Sequence, residues 1–319
     1  MKMKNIKYSS KKWLNLLITS ACIIGNNILK VKADDCKYIE NAINFFGNDI
    51  KAKYDKDKPS DCCKFEGVIC KVINNENHVV EINFNEYRTF DGKESEAIKE
   101  LSNLEHLETL TLRSFLFDGR FPVGFGKLKS LKTLNLIHNT FMTPIPDELG
   151  ELVNLNKLDL SYNYLRGSVP SSLGNLKKLK ILNLKHNRLK GVLPYEFRNM
   201  TNLEQLLLDH NISLSGYVPL IDKLGICSYS ATNLCNLKEA KCKDADYDCS
   251  KEDIKKTDEL NGNPDPIKNS YLTMKPKPTH KIITGILIIL IITILILLCR
   301  KKDTINNKKD KKQYLVLDG

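Results

Sequence analysis

The feature that most constrains this chain is a repeat. Residues 152–175 read LVNLNKLDLSYNYLRGSVPSSLGN, and comparable lines begin at Leu104, Leu128, Leu176 and Met200, all at a period of 24. A weaker unit, HVVEINFNEYRTF, precedes them, with Ile82 and Phe84 where the Leu-x-Leu pair falls. Inside a unit the spacing changes. Leu152, Leu155 and Leu158 are three apart, as on a helix, and Leu158 and Leu160 are two apart, as on a strand. No single helix or strand buries that set. A chain that turns corners while its leucines keep facing inward does, and a period of roughly 20–29 residues with this spacing marks a solenoid.

The physics of one unit follows. Its Leu-x-Leu forms a short strand that pairs with the same strand one unit along, ~4.8 Å away. Leu155, Leu158, Leu160 and Leu165 then point into one continuous core, and because no unit buries its apolar set alone, the array must stack. Asn139, Asn163, Asn187 and Asn211 fall in one column after the strand, where a buried amide can bond the free groups of the bend. Phe115 stands there in the first unit, so the ladder is expected to stop at it. Gly119, Gly167, Gly191 and Gly216, with Pro122, Pro146, Pro170, Pro194 and Pro219, mark the return side. Thr143 replaces the glycine in the second unit, and the fifth has one extra residue before Gly216.

The formal charge of +11 invites a nucleic-acid reading, but its location argues otherwise. Residues 1–33 hold seven lysines and no acid, and residues 300–319 hold seven basic and three acidic residues. These ends account for all of the +11, so the middle is neutral and no nucleic-acid partner is expected. The lysine-rich start precedes WLNLLITSACIIG at 13–25, the length of a signal-peptide core, with cleavage expected after Ala33. The run IITGILIILIITILILLC, 282–299, carries no charge, and Arg300, Lys301 and Lys302 follow it. It reads as one transmembrane helix with the tail in the cytoplasm. The expectation is a single-pass type I protein of the plasma membrane.

The unit resembles the plant-type leucine-rich repeat, L-x-x-L-x-x-L-x-L-x-x-N-x-L-x-G-x-I-P-x-x-L-G-x, over about residues 82–225. DCCKFEGVIC, Asp61 to Cys70, looks like the N-terminal cap of that family. The resemblance implies an α/β solenoid, a right-handed superhelix with a parallel concave β-sheet and disulfide caps. It also implies Cys36–Cys62 and Cys63–Cys70 as pairs. Cys227, Cys235, Cys242 and Cys249 fit a C-terminal cap over the open core, their pairing undetermined. A zinc site is the rival, but it lacks Cys-x-x-Cys and the secretory route is oxidising. The expected order is signal peptide 1–33, N-terminal cap 34–81, about six repeats over 82–225, C-terminal cap 226–249, flexible stalk 250–281, span 282–299 and tail 300–319.

Function is then sought on the strand face that leucine does not fill. Thr109, Thr111, Arg113, Lys132, Asn135, Lys157, Asp159, Lys180, Asn183, Lys185, Glu204 and Asp209 are the candidate ligand-binding residues, with Ser161 and Gln205 beside them. His138, Tyr162, His186 and His210 share the column before the ladder asparagine, where a metal pair or pH sensor competes with an ordinary turn residue; no metal and no cofactor is expected. Of two sequons, Asn199 is the expected glycosylation site and the ladder residue Asn211 is not. No nucleophile elbow, phosphate loop or His-Glu-x-x-His is present, so no enzyme is expected. The resemblance implies a receptor-like protein without a kinase, binding an extracellular protein, peptide or glycan and signalling through a membrane co-receptor. A structural adhesion or wall-organising protein and a tethered inhibitor of wall-degrading enzymes are the alternatives.

Overall fold

A computed structural model of the chain describes residues 33–262, apart from 58, 60 and 89–91. The chain enters through helices α1 (Ala33–Phe46) and α2 (Asn48–Asp57). Ile39, Ala42, Ile43 and Phe46 recur at helical spacing and are fully covered, closing the first end of the core. Strand β1 (Val68–Ile73) runs antiparallel to β2 (Glu76–Asn85), and helix α3 (Glu94–Leu101) packs on α1. Cys36–Cys62 and Cys63–Cys70 are bonded as the resemblance implied, with Cα separations of 5.2 and 5.7 Å.

The repeats then build two sheets. On the concave side β2 is followed by β3 (Thr109–Arg113), β4 (Thr133–Asn135) and β5 (Lys157–Asp159), all parallel. Between these turns of the chain, β6 (Arg166–Gly167) opens a second sheet. The first sheet continues with β7 (Ile181–Asn183), the second with β8 (Arg188–Gly191), the first with β9 (Gln205–Leu207), the second with β10 (Ser213–Tyr217). Strand β11 (Ile226–Ser228) ends the concave sheet, and β12 (Asn233–Cys235) ends the other. The register is one unit per step: Leu110, Leu134, Leu158, Leu182 and Leu206 lie opposite one another and all are fully buried. Each such leucine contributes about 1.5–3 kcal/mol relative to exposure, and only in the stack.

Short 3₁₀ turns, Asp147–Glu151 and Ser171–Asn175 among them, carry the chain back along the outer side. Units meet closely there: a Cβ on Gly150 would lie 2.3 Å from the Ser172 carbonyl oxygen. That approach explains the Leu-Gly at the end of the unit.

The asparagine ladder forms. Asn163 Nδ2 donates to the carbonyls of Leu136 and Leu160, both at 3.0 Å, and its Oδ1 accepts from Phe141 N at 3.3 Å. Asn139, Asn187 and Asn211 repeat the arrangement, each bonding its own bend and that of the preceding unit. Phe115 stands in the column with no amide to offer. It is fully buried and packs instead on Phe46 and Phe117, at 5.2 and 5.7 Å between centroids. The bend also fixes the residue before each position of that column. Ser114, His138, Tyr162, His186 and His210 have φ of 56, 57, 56, 51 and 58°, the left-handed region, with none a glycine.

Cys227–Cys242 and Cys235–Cys249 close the far end. One boundary differs from expectation. The stalk was to begin at 250, yet Lys251–Leu260 form a helix, α4, started by a capping box between Ser250 and Asp253. Its inner face seats on β10. Tyr217 Oη donates to Asp258 Oδ1 at 2.5 Å, Thr257 is buried, and Asn261 Nδ2 donates to Leu193 O at 3.2 Å. A helix with so few apolar residues is held by those polar contacts, so hydrophobicity did not announce it. Among the described residues no helix is long and apolar enough to cross a membrane. The expected signal peptide, 1–33, except for Ala33, the expected stalk beyond 262, and the expected span at 282–299 and tail at 300–319 lie outside the described residues.

Candidate functional site: the concave sheet

Seven parallel strands, β2 to β11, form the concave sheet, so at ~4.8 Å per step it is about 29 Å across. Its outward columns can be read from the register. One runs Glu81, Thr109, Thr133, Lys157, Ile181, Gln205, Ile226, and the next runs Asn83, Thr111, Asn135, Asp159, Asn183, Leu207, Ser228. Lys132, Lys180 and Glu204 stand one position before the first column and are exposed, while Arg113, exposed, and Lys185, half-buried, stand beyond the second.

Most of the charges answer one another across neighbouring units. Lys132 bonds Glu108 at 2.6 Å, Lys180 lies 3.6 Å from Glu204, and Lys185 lies 2.8 Å from Asp209. The Lys132 ammonium holds the Glu108 carboxyl below the usual carboxylate range. Burial alone would raise Asp209, but hydrogen bonds from Lys185 and Ser228 outweigh it and hold the carboxyl low. Among the described residues Arg113 and Lys157 have no acidic partner within 4 Å.

Two candidates are not open to a ligand. Asp159 is 7% exposed. Its Oδ1 accepts from Ser161 N at 3.1 Å and Ser161 Oγ at 2.6 Å, and its Oδ2 accepts from Asn183 at 3.1 Å. Asp209, 6% exposed, is spent on Lys185 and Ser228. The carboxylates turn inward because the strand ends there and the bend leaves amides to satisfy. Asn135 and Asn183 do the same for Ile137 N and Lys185 N, at 3.2 and 3.3 Å.

Conversely, Ile181, Leu207 and Ile226 were missed. They face outward at the C-terminal end, Ile226 52% exposed, and Ile181 and Ile226 flank Gln205. Apolar residues in these strands read as core; only their offset from the Leu-x-Leu pair distinguishes them. The concave face is thus polar over β2 to β5, and over β7, β9 and β11 it carries outward apolar side chains beside its ion pairs.

The histidine column is a ring stack. His138–Tyr162, Tyr162–His186 and His186–His210 have centroids 4.4, 4.3 and 4.1 Å apart and nearly parallel planes. Desolvation, then the neighbouring His210, push the His186 imidazole below its ordinary value. The three-residue cluster with metal-ligand spacing found among the described residues, Cys36, Asp61 and Cys62, includes a disulfide and offers no thiolate. Asn199 is exposed at the end of its turn and Asn211 is fully buried.

The leucine-rich-repeat family model matches residues 105–165 and 153–212. No curated protein matches the chain by sequence. Among solved structures, a plant ice-binding protein is 22% identical, with 65% of this chain and 73% of that one covered and a TM-score of 0.54. A pollen receptor kinase 3 is 26% identical over 60% of this chain and 88% of that one, TM-score 0.50. A plant peptide hormone receptor, RGFR1 in complex with RGF2, is 28% identical over 54% of this chain, TM-score 0.46, and the chain spans 26% of its length. Residues 105–212 are thus leucine-rich repeats, and the asparagine ladder and paired cap cysteines are consistent with a plant-type leucine-rich-repeat protein.

Proposed function

We propose that the chain is a single-pass membrane recognition protein that binds an extracellular peptide or protein segment through its concave sheet and signals, if a signal follows, through a partner carrying the enzymatic domain. The carrying observation is the outward apolar set Ile181, Leu207 and Ile226 on the last three strands, standing beside the ion pairs Lys180–Glu204 and Lys185–Asp209. Ion pairs satisfied within the protein give register and specificity, whereas exposed apolar side chains give binding energy. A segment ~29 Å long or less fits the sheet. The likeness to a receptor kinase's structure supports the reading, and the run at 282–299 supplies the anchor it needs.

The test uses the full chain, affinity-tagged, in a pull-down beside the variant Ile181→Ser/Leu207→Ser/Ile226→Ser. Peptides or proteins captured by the parent and lost by the variant support concave recognition. Equal capture by both moves the site elsewhere, and capture of nothing but a second copy points to a structural role.

A further inference from the structure

The chain leaves β10, on the lateral second sheet, through residues 218–224, enters β11, and turns again at 239–242. Those two segments and Tyr229 enclose a cavity of about 90 Å³. Its inner wall is apolar, made by Val218, Ile221, Leu224 and the Cys242 half of the Cys227–Cys242 bridge. Its rim is charged and exposed, with Asp222, Glu239 and Lys241, so a small solute can reach it from water. The Lys241 ammonium is engaged there, donating to the Asp222 carbonyl at 2.6 Å and tying the two segments together. Tyr229 is 3% exposed, and its backbone N–H donates to Asp244 Oδ2 at 2.6 Å. Its hydroxyl is screened from water and has no hydrogen-bond partner among the described residues. The buried tyrosine of β10, Tyr217, by contrast donates its hydroxyl to Asp258. Burial, then the Asp244 carboxylate, push the Tyr229 phenol above its ordinary value, so it stays protonated and has a hydrogen to give. A buried hydroxyl left unpaired costs free energy that an acceptor recovers.

We propose that this cavity of the C-terminal cap binds a small neutral carbonyl compound, a short-chain ketone or aldehyde, whose oxygen accepts from Tyr229 Oη. Size excludes rings, since the cavity is smaller than the ~150 Å³ apolar cavity known to take benzene. Chemistry selects among what remains. An alcohol or an amide brings a further donor that an apolar wall leaves unpaired, and water brings two. A carboxylate would lose its hydration with Asp222 and Glu239 beside the entrance. A carbonyl on a short apolar body needs one donor and finds one. The guest joins residues 218–224 to residues 239–242, in parallel with the Cys227–Cys242 bridge, so the cap is the element that binding stiffens. No residue of the concave set lines the cavity, so the two sites are independent.

The experiment titrates the purified full chain with acetone, butanone, 2-propanol, isobutene and acetate, read by saturation transfer to the solute and by the ¹³C resonance of Tyr229 Cζ. Acetone and butanone are expected to bind saturably, no tighter than about 0.1 mM for solutes of this size, and to move the Tyr229 resonance. 2-Propanol, of the same shape as acetone, is expected to bind about tenfold more weakly, and acetate not at all. Isobutene has the shape and no acceptor. In Tyr229→Phe the ratio of acetone to isobutene affinity is expected to fall about tenfold. Ala240→Leu fills the cavity from another wall, leaves the hydroxyl in place, and is expected to abolish binding of both. Unchanged melting confirms that each variant folds; if Tyr229→Phe does not, Ala240→Leu and the 2-propanol comparison still decide. Absence of saturable acetone binding, 2-propanol or acetate bound as tightly as acetone, an unchanged ratio in Tyr229→Phe, or full binding by a folded Ala240→Leu would each overturn the proposal. The concave apolar residues are untouched, so failure here leaves the peptide-binding proposal standing, and the reverse.

Discussion

The Asn163 side chain donates to two carbonyls from adjacent units and accepts an amide from one of them, all away from water. Removing it strands those groups in the core, so Asn163→Ala is expected to destabilise the fold by about 3 kcal/mol. A urea midpoint shifted by less than a third of that would mean water replaces the amide. The same burial decides between the sequons: peptide mapping of protein made through the secretory route should find a glycan on Asn199 and none on Asn211. His186 carries a pH dependence of definite sign. Its folded value lies below the unfolded one, so the stability linked to its neutral form is present above the ordinary imidazole value and is lost as pH falls. An NMR titration should show the His186 ring moving at lower pH than a free imidazole, and His210→Gln should raise its midpoint by removing the neighbouring charge.

At the scale of elements the informative piece is α4, which rests on β10 without an apolar seam. A Cβ at Gly216, where φ is +83°, would come 2.4 Å from Thr257 Oγ1. Gly216→Ala is therefore expected to lift the helix and cost about 1–3 kcal/mol. Limited proteolysis should then cut between 250 and 262 while the repeats stay intact; an uncut helix would show that β10 yields instead. What the sequence made legible follows the same division. Leu158 and Asn163 were readable because their environment recurs every unit and admits one residue type. Asp159 was misread because a short acid at a strand end serves the bend or the solvent equally well in sequence. The second sheet was not foreseen, since Arg166 and Lys190 lie among the glycines and prolines of the return side, where no apolar alternation marks a strand. The partners Cys227–Cys242 and Cys235–Cys249 depend on the fold of the cap and not on spacing.

The repeats form a one-dimensional stack in which each unit meets its neighbours alone. Excising residues 152–175 joins Glu151 to Leu176 and leaves every column in register. That shortened chain is expected to fold with native-like circular dichroism and a single melting transition. Deleting only 164–175 removes half a turn, puts the leucine column against the return side, and should leave the repeats unfolded. Comparable melting of the two would mean that the units do not share a core.

The arrangement past the last repeat has a mechanical reading. Tension applied to the chain beyond residue 262 meets α4 first, held crosswise by Tyr217–Asp258 and Asn261–Leu193. When those yield, the pull arrives at Cys249, which is riveted to Cys235 in the terminal strand of the lateral sheet. Load thus enters the stack through a covalent link at its end strand, after a short sacrificial helix has given way, and the solenoid is not peeled one unit at a time. The repeats therefore keep their shape while the chain beyond them is pulled.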